Sequence, residues 1–294
     1  MVAELTVRFA TSEEFLQKML VWVDSGASTV EPSWYKKMNE VADDEVPFGS
    51  DDPEAPAGPP EGILAQVTTA SGSGNFISTA RYRGEPTRRW LQADRADLKR
   101  VFFEVSKLDS LGFLSDGFSL NCSRVGDEPG WLRASMNFRE SETIANPERI
   151  SRRLTVLKRF AESQEVGFGH VSYLYNPLSP TAYEEALNID PEHSITQHPG
   201  LARGYSWITV LPREILEVIG GAGAVRECGL FSEVNELANG AYWLQAAATW
   251  SDYLHADFSS LQRVFAPILI PGDPIRDDLS GTSAHFPPQL VAFS

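Results

Sequence analysis

Cysteine is nearly absent: Cys122 and Cys228 are the only two in 294 residues. Neither sits in a C-x-x-C or a zinc-type spacing, and two thiols make no disulfide framework. A disulfide-stapled secreted scaffold and a structural zinc site are therefore excluded as the basis of the fold. No stretch approaches the roughly 18 apolar residues of a membrane span. Met1-Val2-Ala3-Glu4 lacks a basic region followed by an apolar run, so no signal peptide is expected and the reading is cytoplasmic. Catalytic signatures are missing too, with no Gly-x-Ser-x-Gly and no His-Glu-x-x-His. Basic residues are scarce, 25 Lys and Arg against 40 Asp and Glu, giving a net charge of −15. Residues 164–294 hold 5 of the basic and 15 of the acidic side chains, and so −10 of that charge. Such a surface repels phosphate backbones and anionic lipid, so neither nucleic acid nor membrane is an expected partner; it steers a basic one.

What is present suffices for a core: 42% of the chain is apolar, with seven Trp and sixteen Phe. Two stretches look alike. Leu111-Gly112-Phe113-Leu114-Ser115-Asp116 precedes a strand Trp131 to Phe138, and Cys228-Gly229-Leu230-Phe231-Ser232-Glu233 precedes a strand Trp243 to Trp250. An internal repeat implies that each copy is one supersecondary unit. The expectation is an α+β fold of two related β-α-β-α-β-β-α lobes with largely antiparallel sheets, residues 1–165 and 166–294.

Along the chain, Glu4 to Ala10 alternates as a strand, with Leu5, Val7 and Phe9 on one face. Thr11-Ser12 with Glu13-Glu14 caps a helix carrying Phe15, Leu16, Met19, Leu20 and Trp22. Residues 42–61 form an acidic, proline-rich loop, and no Lys or Arg lies between Lys37 and Arg81. Ile63 to Thr69 and Phe76 to Tyr82 read as a hairpin. A helix is expected from Asp94 through Leu98, Val101, Phe102, Val105 and Leu108. Phe118 to Ser123 and Trp131 to Phe138 form a second hairpin, and Asn146-Pro147 opens a helix. In the second half, His170 to Tyr175 is a strand and Ser179-Pro180 caps a helix through Tyr183, Ala186 and Leu187. Pro191 to Leu201 reads as loop and Tyr205 to Leu211 as a strand leading into a helix through Ile215, Leu216 and Ile219. Phe231 to Leu237 and Ala241 to Trp250 pair across Asn239-Gly240, and Phe258 to Leu269 is the last helix. The tail from Pro271 is expected to be irregular.

No candidate chemistry stands out. Gly220-Gly221-Ala222-Gly223 follows a helix instead of linking a strand to a helix, so it reads as a glycine helix stop and not a phosphate loop. Ser71-Gly72-Ser73-Gly74 lies between strands and fails likewise. His193, His198 and Asp190 share one loop, but the histidine spacing suits neither a helical pair nor a finger, so no metal is assigned. His170, His255 and His285 are isolated. Glu184-Glu185 and Asp277-Asp278 are adjacent pairs, which read as solvated faces; hydrolytic carboxylates must converge from separate elements. Arg81, Arg83, Arg88 and Arg89 with Tyr82 and Trp90 form the basic, aromatic cluster, suited to stacking on nucleic acid or to holding the acidic loop. No catalytic residue and no cofactor is assigned.

One resemblance adds to this. Arg203 to Val210 runs into Leu211-Pro212 and a helix ending Ile219-Gly220-Gly221, followed by Trp243-Leu244-Gln245-Ala246 and Val264-Phe265-Ala266-Pro267. In this layout, the stretch from His170 to Gly272 resembles bacterial immunity proteins of polymorphic-toxin systems, similar to the type VI immunity family of uncharacterised domains. The resemblance implies a cytoplasmic, non-catalytic protein that binds and neutralises a cognate toxin domain. A basic toxin suits the charge. The partner-binding candidates are then the acidic loop residues Asp43, Asp44, Glu45, Asp51, Asp52 and Glu54, followed by Glu184, Glu185, Asp190 and Glu192. The alternatives are an enzyme with its site in an inter-lobe cleft, for which Trp207, Arg203, His198 and Glu236 are the candidates, and an intracellular scaffold or regulatory partner.

Overall fold

A computed structural model describes residues 1–40, 56–72, 76–81, 87, 89, 91, 98–138, 146–172 and 180–272. Its elements in chain order are β1 (Val2–Phe9), α1 (Ser12–Val30), α2 (Pro32–Glu40), β2 (Ile63–Ser71), β3 (Phe76–Arg81), β4 (Leu98–Leu108), β5 (Leu114–Val125), β6 (Gly130–Phe138) and α3 (Pro147–Glu162). There follow β7 (Val166–Ser172), α4 (Ala182–Ala186), α5 (Pro191–Gln197), β8 (Ile208–Leu211), α6 (Arg213–Val218), α7 (Gly221–Glu227), β9 (Glu233–Glu236), β10 (Tyr242–Gln245), α8 (Trp250–Tyr253) and α9 (Phe258–Phe265), with a 3₁₀ turn at Ala266–Ile268. The class is α+β, and the strand pairs β1–β7, β2–β3, β2–β4, β4–β5, β7–β8, β8–β10 and β9–β10 are all antiparallel.

The chain forms two compact units that interleave in sequence. One takes Met1–Arg8, Val125–Arg133 and the chain from Leu157 onward; the other takes Phe9–Arg124 and Ala134–Val156. The expected boundary at 165/166 falls inside the first of these.

In the Phe9–Arg124 unit, the strands run in the order β3-β2-β4-β5. Helix α1 begins where expected: Thr11 Oγ1 accepts from Glu14 N at 3.2 Å, and Glu14 Oε2 accepts from Ala10 N at 2.6 Å. It buries Phe15, Met19, Trp22, Val23 and Ala27. The Phe15 ring meets that of Phe9 edge-on at 5.4 Å. Arg149 on α3 ties this layer together through Glu31 at 2.8 Å and Asp116 at 3.0 Å.

The helix expected from Asp94 is instead strand β4. Val101, Phe103 and Val105 alternate inward along it, and Phe102 and Glu104 point the other way. Leu98 imitates a helical period because the ladder skips a residue: Arg100 faces Ala70, but Leu98 faces Ser71. That bulge returns Leu98 to the buried face, so positions 98, 101, 105 and 108 fit both a helix and a bulged strand.

In the Met1–Arg8 unit, the order is β6-β1-β7-β8-β10-β9, with β6 entering through Gly130–Arg133. Helix α6 stops at Gly220, whose φ of +93° only glycine adopts freely, as its sequence position suggested. A second helix, α7, follows at once. The segment read as loop from Pro191 contains α5, with Asp190 as N-cap and Pro191 in its first turn. Thr181, and not Ser179-Pro180, caps α4.

These differences remove the internal repeat as an organising feature. Residues 98–108 form a strand, whereas 213–227 form two helices, so 94–162 and 212–270 do not share an element order. The two similar sequence stretches have in common a strand of a hairpin carrying Trp-Leu, β6 in one and β10 in the other.

Candidate functional site

From Glu4 to Phe9 strand β1 alternates, with polar Glu4, Thr6 and Arg8 at the even-numbered positions. Glu4 and Thr6 are buried, at 1% and 2% exposure. In the ladder with β7, Glu4 stands opposite His170 and Thr6 opposite Phe168. His170 in turn stands opposite Thr209 of β8. A charged residue at these positions needs a buried partner, because an isolated carboxylate there would cost several kcal/mol or be neutralised.

Two arginines supply it. Arg133 of β6 donates to Glu4 Oε1 from Nε at 3.1 Å and to Oε2 from Nη2 at 2.8 Å. Arg203 donates from Nη1 to Glu4 Oε1 at 2.7 Å and to Thr6 Oγ1 at 3.2 Å. The other side of its guanidinium grips Glu184, Nε to Oε1 at 2.7 Å and Nη2 to Oε2 at 3.0 Å. Glu184 Oε2 also accepts from Thr181 N at 2.7 Å, while Thr181 Oγ1 donates to Arg203 O at 2.6 Å. The Phe168 ring lies 5.6 Å from the Arg203 guanidinium carbon. Two carboxylates and two guanidiniums thus cancel inside the core. Each carboxylate is bonded bidentately, the arrangement that best offsets desolvation.

Electrostatics follow this geometry. Burial pushes the Glu4 carboxyl up, but Arg133 and Arg203 outweigh it and hold the group down at about 2. Burial drives His170 down to about 4, so its imidazole is neutral at pH 7. Its Nδ1 lies 3.1 Å from Ser172 Oγ, and Nε2 is buried without a hydrogen-bond partner. Burial lowers the pKa of Arg203, and Glu184 and Glu4 more than restore it, leaving the guanidinium above its ordinary value.

Chemically, the cluster holds two carboxylates in ion pairs with guanidiniums, beside one imidazole that is neutral at pH 7. All four carboxylate oxygens are committed to guanidinium nitrogens. The adjoining cavity, between Thr6, Trp131, Phe168, Ile195, His198 and Arg203, measures about 10 Å³, at the lower limit for one water. This is the geometry of a fastener holding α4 and the Arg203 segment to the sheet.

A larger cleft of about 410 Å³ lies where the end of α3, the start of α6 and the β9–β10 turn meet. Glu162, Glu165 and Glu214 line it, and none has a cation partner among the described residues. Arg213 lines it too, but pairs with Glu236. Asn239 Nδ2 donates to Ala161 O at 2.9 Å across the cleft floor, satisfying a carbonyl at the end of α3.

The residues expected to bind a partner separate into three groups. Asp43, Asp44, Glu45, Asp51, Asp52 and Glu54 lie outside the described residues. Glu185, Asp190 and Glu192 are exposed on α4, the α5 N-cap and the first turn of α5, with Asp190 Oδ1 accepting from Glu192 N at 2.8 Å. Glu184 is fully buried and belongs to the ion cluster. Neighbours on a helix point about 100° apart, so a Glu-Glu pair puts one side chain inward and one outward. Of the residues proposed for an enzyme, Arg203 is in the cluster and His198 is the C-cap of α5. Trp207 is buried with Nε1 donating to Ala247 O at 2.8 Å, and Glu236 is an exposed edge-strand residue. Arg203 and His198 share the lining of the small cavity, and Trp207 and Glu236 are not among its lining residues. His193 and His198 meet edge-on at 5.9 Å, and no group of three metal-ligating side chains occurs among the described residues. Glu4, Thr6 and Arg133 carry no role in the sequence reading, and His170, read there as isolated, stands opposite Glu4; polar Glu4 and Thr6 alternating with apolar Leu5 and Val7 were the available signal.

Among the described residues, no helix is long and apolar enough to cross a membrane. No protein-family model matches the chain, and no curated protein matches it. Among solved structures it is similar to the Pseudomonas aeruginosa T6SS protein PA0821, with a TM-score of 0.51 and 13% sequence identity, over 99% of this chain and 83% of that one. At that identity the likeness is one of fold.

Proposed function

We propose that the chain is a non-catalytic immunity protein that binds a cognate toxin domain in the cytoplasm and neutralises it by covering its working surface. The observation that most supports this reading is the fold shared along 99% of the chain with a protein of a T6SS, a bacterial type VI secretion system. The buried cluster is compatible with it, since its carboxylates and guanidiniums are bonded to one another. The net charge of −15 favours a basic toxin, through faster association and selectivity more than through raw affinity. On the described surface, Glu185, Asp190 and Glu192 are the proposed contact residues, and the acidic stretch 43–54 completes the set. The testing experiment is co-purification with an inactivated toxin domain encoded by an adjacent gene. A stable complex that weakens as salt rises supports the reading, and no complex at low salt refutes it.

A second reading has one observation in its favour, the cleft bearing Glu162, Glu165 and Glu214. An enzyme working there would lose activity on replacing these carboxylates by Gln, whereas an immunity protein would keep its protective effect.

A further inference from the structure

Among the described residues, Leu111 and Leu114 are two of the most exposed large apolar side chains, at 67% and 57%. Leu111 sits on the turn between β4 and β5 and Leu114 is the first residue of β5, and that turn is well braced. Asp109 Oδ1 accepts from Leu111 N at 2.8 Å and from Phe113 N at 2.9 Å. Asp109 N donates to Phe113 O at 2.8 Å, and Gly112 has a φ of +87°. A second segment straps the turn from outside: Ala57 N donates to Gly112 O and Glu61 N to Asp109 O, each at 2.8 Å. The fit is tight enough that a Cβ on Gly112 would stand 2.3 Å from Gly58 O. A mobile loop that happened to carry leucines would show none of this bracing.

We infer that the β4–β5 turn is an apolar anchor that seats Leu111 and Leu114 in an apolar pocket of the basic toxin partner. This rests on the immunity reading and names the element that makes the contact. Rigid exposed apolar groups lose little freedom on binding, which is how a small patch comes to dominate an interface. The surroundings choose the occupant. The strap is the continuation of the acidic stretch that ends at Glu54, and exposed Glu61, 3.5 Å from Lys107 Nζ, and half-buried Asp109 flank the leucines. Backbone N–H groups of Phe113 and Leu111 hold the Asp109 carboxyl below the usual carboxylate range, so it is charged at neutral pH. A second copy of this chain would bring like charge against like charge, −15 on each. An anionic lipid surface is repelled in the same way. A pocket rimmed by lysine or arginine meets both the leucines and the carboxylates.

The experiment is equilibrium and kinetic binding of the full chain to the inactivated toxin domain encoded by the adjacent gene. The double variant Leu111→Ser/Leu114→Ser is expected to bind on the order of 100-fold more weakly, mainly through faster dissociation, with an unchanged melting temperature. Leu111→Lys alone is expected to weaken binding at least as much as Leu111→Ser, by adding repulsion from the basic rim. Gly112→Ala keeps both leucines but disturbs the brace, and is expected to weaken binding as well. Binding by the double variant within about twofold of the unaltered chain overturns the anchor and leaves the immunity reading standing. No binding by the unaltered chain overturns both.

Discussion

Arg203 and Glu184 form a bidentate pair with both side chains buried, Nε to Oε1 at 2.7 Å and Nη2 to Oε2 at 3.0 Å. Through this pair the helix that carries Glu184 is joined to the sheet that carries Glu4. Removing one member leaves a charge stranded in the core. Arg203→Ala is expected to lower unfolding free energy by about 3–5 kcal/mol, and Arg203→Lys by less, since a lysine keeps the charge but not the fork. Replacing the charges together, as in Glu184→Leu/Arg203→Met, is expected to cost less than the two single changes summed. Urea unfolding of the four proteins checks this; additive costs would show that the pair is not a coupled unit.

Acid should weaken the fold in two stages. His170 is held at about 4 against an ordinary 6.5, so the unfolded chain binds the proton first. Its contribution is therefore complete above pH 6.5 and declines as pH falls toward 4, by roughly 3 kcal/mol in all. Glu4 is held at about 2 against 4.5, so its contribution is present above pH 4.5 and is lost as pH falls toward 2. His170→Gln is expected to flatten the stability profile between pH 6.5 and 4 while leaving the steeper acid limb in place. An unaltered upper limb in that variant would show that another group titrates there.

The left-handed stop of α6 gives a backbone test. Gly220→Ala forces a side chain into φ +93° and brings a Cβ to 2.8 Å from that of Ala224. A loss of about 1–2 kcal/mol is expected, read as a lower melting temperature with partner binding intact.

Much of the local structure is legible in the sequence, and the failures have a common cause. Thr11 with Glu14, Asn146-Pro147 and Asn239-Gly240 are short-range signals, and the helices and hairpin they announce are present. Strand β4 misled because one bulge turned an alternating pattern into an apparent helical one. Helix α5 was announced by Asp190-Pro191, a capping residue and a first-turn proline, but its seven residues are too few to show a period. The alternation of Glu4 and Thr6 with apolar residues was the one local sign of the ion cluster, and its pairings were not legible. Arg203 lies 199 residues from Glu4, and Arg133 lies 129 from it; no local pattern reports such a pairing. Glu184 looked like surface because its neighbour Glu185 is surface.

Charge reversal should separate the proposed contact surface from the core. Glu185→Lys, Asp190→Asn and Glu192→Lys combined are expected to slow association with the toxin about tenfold at low salt and much less at high salt. Asp190→Asn keeps a good N-cap, so the melting temperature should shift by less than a few degrees. Unchanged association rates would remove these residues from the interface.

The most direct test of the immunity reading is survival of cells that express the adjacent-gene toxin domain together with this chain. Growth is expected to be restored by the unaltered protein. Growth is expected to be restored equally by a Glu162→Gln/Glu165→Gln/Glu214→Gln variant, and to fail with the Leu111→Ser/Leu114→Ser variant. Cells that die despite abundant, folded, unaltered protein would contradict the immunity reading.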